Sequence, residues 1–173
     1  MITPAAMSRD AYLLYGDLIS ARADVAPVAA NLGTAQRFNW LGELSNLRPD
    51  GARANLCLFR SQPFPAAEFP VRLLERHPFS TQVFIPINCS RHYLIVVALG
   101  GDAGPDLLTL RAFLVGREQG ITYRPGVWHH PLIALDRETD FACVVWEDES
   151  RGDCEVRKLG ETIAIALSGR ERF

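Results

Sequence analysis

The chain of 173 residues is 48% hydrophobic and 22% charged, with a formal net charge of −2. That balance suits one soluble domain with a sizeable core and speaks against an intrinsically disordered chain. A slightly acidic chain lacks the basic footprint of nucleic-acid or acidic-membrane binding, and its longest apolar run, residues 94–99, is far too short to span a bilayer.

The opening MITPAAMSRDAY has no basic stretch followed by an apolar core, so no signal peptide is expected and a cytoplasmic setting is predicted. Ser8 is placed to cap a short helix carrying Ala11, Leu14 and Tyr15, which Gly16 would stop. Residues 20–53 are mixed, with turns expected at Asn31-Leu32-Gly33 and Arg48-Pro49-Asp50-Gly51. From residue 54 onward the pattern becomes short runs of period two, each closed by Gly, Pro, Asn or Asp. Strands are predicted over 54–60, 71–75, 82–87, 93–99, 108–115, 128–135, 141–146 and 162–167. Such a series predicts a mainly β fold, an antiparallel barrel or sandwich with a few short helices, as one domain over 1–173. Cys57, Cys89, Cys143 and Cys154 are widely spaced with no CxxC pair, which fits reduced thiols rather than a disulfide framework.

The stretch 120–135, GITYRPGVWHHPLIAL, sets His129 and His130 inside an apolar strand. A third histidine, His77, lies in ERHPFSTQVFIPI. Alternation predicts Trp128, His130, Leu132 and Ala134 on one side, with His129, Ile133 and Leu135 on the other. It likewise separates Leu73, Glu75 and His77 from Leu74 and Arg76, and Gln82, Phe84 and Pro86 from Val83, Ile85 and Ile87. Adjacent histidines on a strand point to opposite faces, so they cannot both serve one metal ion. Each alone also fits a hydrogen-bonded core or interface residue. Together, Glu75, Arg76, His77, Gln82, His129 and His130 are too many polar groups to bury unless they are paired or arranged around a ligand, as at a barrel mouth. Arginine there would suit a carboxylate, whose geometry its planar fork matches.

The turn Pro125-Gly126, with its glycine three residues before His129, is similar to the second half of the cupin signature. The first half, with its HxH, is not recognisable. Candidate metal ligands are therefore His77, Gln82, Glu75 and one of His129 or His130. LERHPFSTQVFIPI (74–87), LRAFLVGREQGITYRPGVWHHPL (110–132) and TDF (139–141) resemble the ureidoglycolate lyase family, formerly called ureidoglycolate hydrolase. DAYLLYGDLI (10–19) and Asn31-Leu32-Gly33 with Gln36-Arg37-Phe38 extend the resemblance over nearly the whole chain. It implies a cupin-like β-barrel, usually a homodimer, that splits (S)-ureidoglycolate into glyoxylate and urea late in allantoin breakdown. It also implies a divalent metal in some members, nickel being the one usually named.

Carried over by motif, the pocket would contain Glu75, Arg76, His77, Gln82, Phe84, Tyr123, Trp128, His129 and His130. The expected base is His129 or His77, with Glu75 orienting an imidazole. Arg76 or another arginine would take the carboxylate, and Gln82 and His130 the ureido end. A bound metal would rest on His77, Gln82 and His129. After TDF the family often continues into a short Asp-Arg-Gly turn, where Val145 and Trp146 stand here. Two other readings remain at this point: a metal-dependent cupin enzyme acting on another small hydroxy or ureido acid, and a non-catalytic module that binds a small acid.

Overall fold

The computed structural model describes residues 1–21 and 25–167. Among them the strands are β1 (Ala5–Ala6), β2 (Leu18–Ile19), β3 (Val28–Ala30), β4 (Ala35–Arg37), β5 (Arg53–Ser61), β6 (Glu68–Arg76), β7 (Gln82–Pro86), β8 (His92–Gly101), β9 (Gly104–Gly116), β10 (Gly120–Tyr123), β11 (Trp128–His129), β12 (Ile133–Ala134), β13 (Thr139–Glu147) and β14 (Glu155–Ala166). The capped helix is there but short, Arg9–Tyr12, with the Ser8 hydroxyl accepting from the Ala11 N–H at 3.3 Å. Both expected turns form. Asn31–Gly33 is a single 3₁₀ turn, and the Arg48 carbonyl accepts from the Gly51 and Ala52 N–H groups.

Two sheets carry the architecture. The smaller has the order β2-β10-β7-β13-β5; the larger runs β1-β9-β8-β11-β6-β14, with β12 also on β8. Apart from β1 on β9, the paired strands are antiparallel. This is the mainly β, antiparallel fold expected from the sequence. β10 had no counterpart among the expected strands, because four residues are too few for alternation to register. Only the end of β14 was anticipated, since the charged RKLGET hides the first half of that strand.

The main core lies between the sheets, where Tyr93, Ile95, Val97, Phe113 and Val115 meet Phe84, Ile121, Tyr123, Phe141 and Cys143. Its rings meet edge to face, as between Tyr93 and Phe141 at 5.1 Å and 69°. The larger sheet buries its other face too. Leu94, Val96 and Ala98 of β8 join Leu110, Ala112 and Leu114 of β9, Val71 and Leu74 of β6, Trp128 and Ile165 in a second core. Burial on both faces is why β8 reads as an unbroken apolar run rather than an alternating one. The N-terminal segment closes this second core. Ile2 exchanges backbone hydrogen bonds of 2.8 Å with Ala164 and Ala166 of β14, while β1 pairs with Phe113 and Leu114 of β9. It thereby joins the two ends of the larger sheet.

Two irregularities decide which side chains reach the space between the sheets. Val71 and Leu74 both sit in the second core, although strict alternation would put residues three apart on opposite faces. The register between β6 and β14 slips at this point, between Lys158 and Ile163. After the slip Leu74 and Arg76 face one way, and Glu75 and His77 turn toward the inner space. The second irregularity is Pro131. It has no N–H for a ladder, so the expected strand 128–135 is split into β11 and β12. The alternation shifts across the break. Ile133 and Leu135 join Trp128 in the second core, while Leu132 packs on the main core, the reverse of the sequence expectation.

Candidate active site

β11 lies between β6 and β8, and its register sets His129 directly opposite Glu75. The His129 Nε2 atom is 3.7 Å from Glu75 Oε1. His77, one residue beyond β6, holds its ring nearly parallel to that of His129 at 5.8 Å, and Tyr123 of β10 stacks on His129 at 4.0 Å and 7°. The donor atoms of Glu75, His77 and His129 all lie within 4.8 Å of one another.

Backbone carbonyls set the tautomers. His129 Nδ1 lies 3.0 Å from the Val127 carbonyl, and His77 Nδ1 lies 2.8 Å from the Asp153 carbonyl. A carbonyl only accepts, so each Nδ1 carries the hydrogen and each Nε2 presents a lone pair. The Nε2 of His129 is buried and has no hydrogen-bond partner among the described residues. Burial, reinforced by His77 close by, pushes the pKa of His129 down to about 3. Burial lowers His77 as well and raises Glu75 above the usual carboxylate value. A proton entering the Glu75–His129 pair therefore rests on the carboxylate, and both imidazoles stay neutral at pH 7. Cys154 is pushed up to about 11 by burial and then by Glu75, so it is a thiol whose S–H donates to Glu75 Oε2 at 3.9 Å.

Glu75 and His129 face a cavity of about 220 Å³. Phe84, Pro131 and Leu132 line it with Phe59, Arg60 and Ser61 from β5. A larger, more open depression of about 570 Å³, beside Ser90, Arg91 and Gly116–Gln119, shares no residue with it.

The profile of the ureidoglycolate lyase family matches residues 1–166. The chain belongs to the ureidoglycolate lyase family. A ureidoglycolate lyase of Burkholderia cepacia is 42% identical over 139 residues, covering 80% of this chain and 75% of the relative. One from Escherichia coli (strain SMS-3-5 / SECEC) is 40% identical over 159 residues, covering 90% and 92%. Among solved structures, a 3,4-ketoisomerase from Helicobacter canadensis superposes with a TM-score of 0.45 at 12% identity, over 81% of this chain and 89% of its own.

Of the pocket residues that the ureidoglycolate lyase resemblance implies, the structure brings Glu75, His77, Tyr123 and His129 together, with Phe84 on the cavity wall. Gln82 is buried on the inner face beside Tyr123, its register partner in β10, with Oε1 unpartnered among the described residues. Arg76, Trp128 and His130 lie elsewhere. Arg76 follows Leu74 to the other face, where it bonds Glu155 at 2.9 Å and Asp102 at 2.8 Å and lies 5.0 Å from the Trp128 ring. Trp128 belongs to the second core, and His130 packs edge-on against Phe69 at 5.0 Å. The cation expected at the cavity is thus not Arg76. Arg60 lines it instead, a residue sequence reasoning passed over because the pairing of β5 with β13 has no local signal. Arg60 stands opposite Asp140 of the TDF string and bonds its carboxylate at 2.7 and 3.0 Å. Val145 and Trp146, where the chain departs from the family pattern, continue β13, and Trp146 N–H donates to Ser80 Oγ at 2.8 Å.

Glu75, His77 and His129 form a group able to hold a divalent metal ion. Two neutral imidazole nitrogens with a carboxylate are a common donor set, and the unpartnered Nε2 of His129 is a buried atom in want of a ligand. His129→Ala is expected to abolish divalent-ion uptake measured by equilibrium dialysis with Ni²⁺, while His130→Ala retains it. Equal losses in the two variants would place the donors elsewhere.

Proposed function

We propose that this protein cleaves (S)-ureidoglycolate to glyoxylate and urea. The observation that carries the reading is the buried Glu75–His129 pair, joined by His77, at a small cavity in a chain of the ureidoglycolate lyase family. The substrate is a carbinolamide, so its breakdown needs proton traffic rather than an added reactant. The hydroxyl loses its proton, the oxygen electrons form the glyoxylate carbonyl, the carbon–nitrogen bond breaks, and the nitrogen gains a proton to leave as urea.

Glu75 is the group suited to move that proton. Burial stabilises its protonated form, so it accepts from the hydroxyl and returns the same proton to the departing nitrogen. His129 is a poor base at its depressed pKa, but its Nε2 and that of His77 are well placed as lone-pair donors. His77 and His129, with one of the two Glu75 oxygens, would hold a divalent ion, nickel by family resemblance, which would polarise the hydroxyl oxygen and lower its pKa, leaving the other Glu75 oxygen to carry the proton. Arg60 is the cationic residue among those lining the cavity, and its Nη1 has no partner among the described residues; the substrate carboxylate is assigned to it. The four unpaired cysteines support a reduced, cytoplasmic setting.

A second copy of the chain completes the reading. β5 is an edge strand of the smaller sheet. Leu56 is 75% exposed and Leu58 55% exposed on it, and Ile85, register neighbour of Ala142 across β13, is 47% exposed. An uncovered apolar edge is an aggregation hazard, and a homodimer that pairs or covers β5 removes it.

Glyoxylate release from racemic ureidoglycolate, followed above the spontaneous rate, tests the activity. Glu75→Gln is expected to lower kcat by about 10²–10⁴-fold; a wild-type protein without acceleration, or a fully active variant, would sink the assignment. In the same assay Arg60→Gln should act mainly on KM, and an unchanged KM would remove Arg60 from the carboxylate. Light scattering on a sizing column should show a dimer for the wild type and a monomer for Leu56→Glu/Leu58→Glu. A monomeric wild type at micromolar concentration would reject the β5 interface.

A further inference from the structure

Asp153 and Cys154, adjacent in sequence, each touch a different member of the candidate site. The Asp153 carbonyl accepts from His77 Nδ1 at 2.8 Å, and the Cys154 thiol donates to Glu75 Oε2 at 3.9 Å. Neither belongs to a regular element; they end the loop between β13 and β14. A loop position is a poor foundation for a catalytic group unless something external fixes it.

Arg48 is that external anchor. Its guanidinium bonds the Asp153 carboxylate through Nη2 and the Asp148 carboxylate through Nη1 at 2.7 Å, so one fork ties both ends of the loop. Asp153 returns the favour inward, its carboxylate accepting from the Asp148 N–H at 3.1 and 3.2 Å. Ser150 adds an Asp148-capped turn, its N–H donating to Asp148 Oδ1 at 3.0 Å. Arg48 is itself held from below. Its N–H donates to Asn46 Oδ1 at 2.9 Å, and its guanidinium carbon lies 4.8 Å from the centre of the Phe79 ring. Phe79 stands two residues after His77, and its carbonyl accepts from the Leu47 N–H at 2.8 Å. The segment that carries Arg48 is thus fastened to the same turn that presents His77.

We infer that Arg48 is a positioning residue for the reaction: by latching the loop through Asp153, it sets the tautomer of His77 and seats the thiol that bonds Glu75. The inference rests on the proposed lyase activity for its kinetic arm alone. An exposed arginine pair would contribute little, but this one is only 20% exposed on the arginine side and 11% on that of Asp153, and it acts on two catalytic groups at once. Without the latch the Asp153 carbonyl moves off His77, and the proton of that imidazole is free to shift to Nε2, which removes the lone pair from the site.

Nitrogen-15 NMR of the histidine side chains reads the tautomer without turnover. The wild type is expected to show His77 as one form, protonated at Nδ1. Arg48→Ala should show a mixture, Arg48→Lys should restore the single form in part, and Ni²⁺ affinity should fall about 10–100-fold in Arg48→Ala. In the activity assay kcat should fall by a similar factor with KM little changed, and Arg48→Ala/Asp153→Ala should lose no more than Arg48→Ala alone. Should Arg48→Ala not fold, Asp153→Asn keeps the carbonyl and weakens the latch, and is read in the same way. A folded Arg48 or Asp153 variant with a single Nδ1-protonated His77 and wild-type Ni²⁺ affinity would overturn the inference. A wild type inactive on ureidoglycolate would overturn the lyase reading while the NMR and Ni²⁺ results still decide the latch.

Discussion

The site depends on one register, the pairing of β11 with β6 that puts His129 opposite Glu75. Directly opposed residues on neighbouring strands have side chains in contact range, so backbone hydrogen bonds bring a carboxylate and an imidazole together without help from loops. A two-residue strand would be a weak anchor by itself. It is held because β8 lies on its other side and is buried on both faces. The cost of burying Glu75 and His129 is thereby met by the packing of an entire sheet. In return, burial keeps the imidazoles neutral and makes Glu75 the stronger proton acceptor.

The two cores divide the polar residues of the ERH and WHH strings between them. Glu75, His77 and His129 face the space between the sheets, whereas Arg76 and His130 face the second core and its rim. Arg76 is tied to Glu155 and Asp102 and lies over Trp128, which makes it a fastening between β6, β14 and the β8–β9 turn. Neighbours in sequence thus serve different ends, chemistry on one face and cohesion on the other.

Much of this was legible beforehand. Alternation correctly separated His129 from His130 and Glu75 and His77 from Arg76, because a strand leaves no other choice over two or three residues. It failed over longer spans, where the β6 slip and Pro131 each shift the phase, and no local property of Arg72 or Leu132 announces that. Arg60, Asp153 and Arg48 were invisible as site residues for a different reason. Each reaches its partner through pairing or loop contacts 80 to 105 residues away in the chain, and a sequence without an aligned set of relatives carries no trace of such contacts.

The bridge at Ile2 bears on how the molecule is made. Its partners, Ala164 and Ala166, lie at the other end of the described residues, so a segment made early pairs with one made much later. Contacts of such separation carry a large loop-closure cost and form late. During translation the second core, including Leu94, Val96 and Trp128, must wait partly uncovered until β14 emerges. Completion of the larger sheet therefore waits for β14, and the hydrophobic run that makes β8 so secure in the folded protein is its greatest exposure before then.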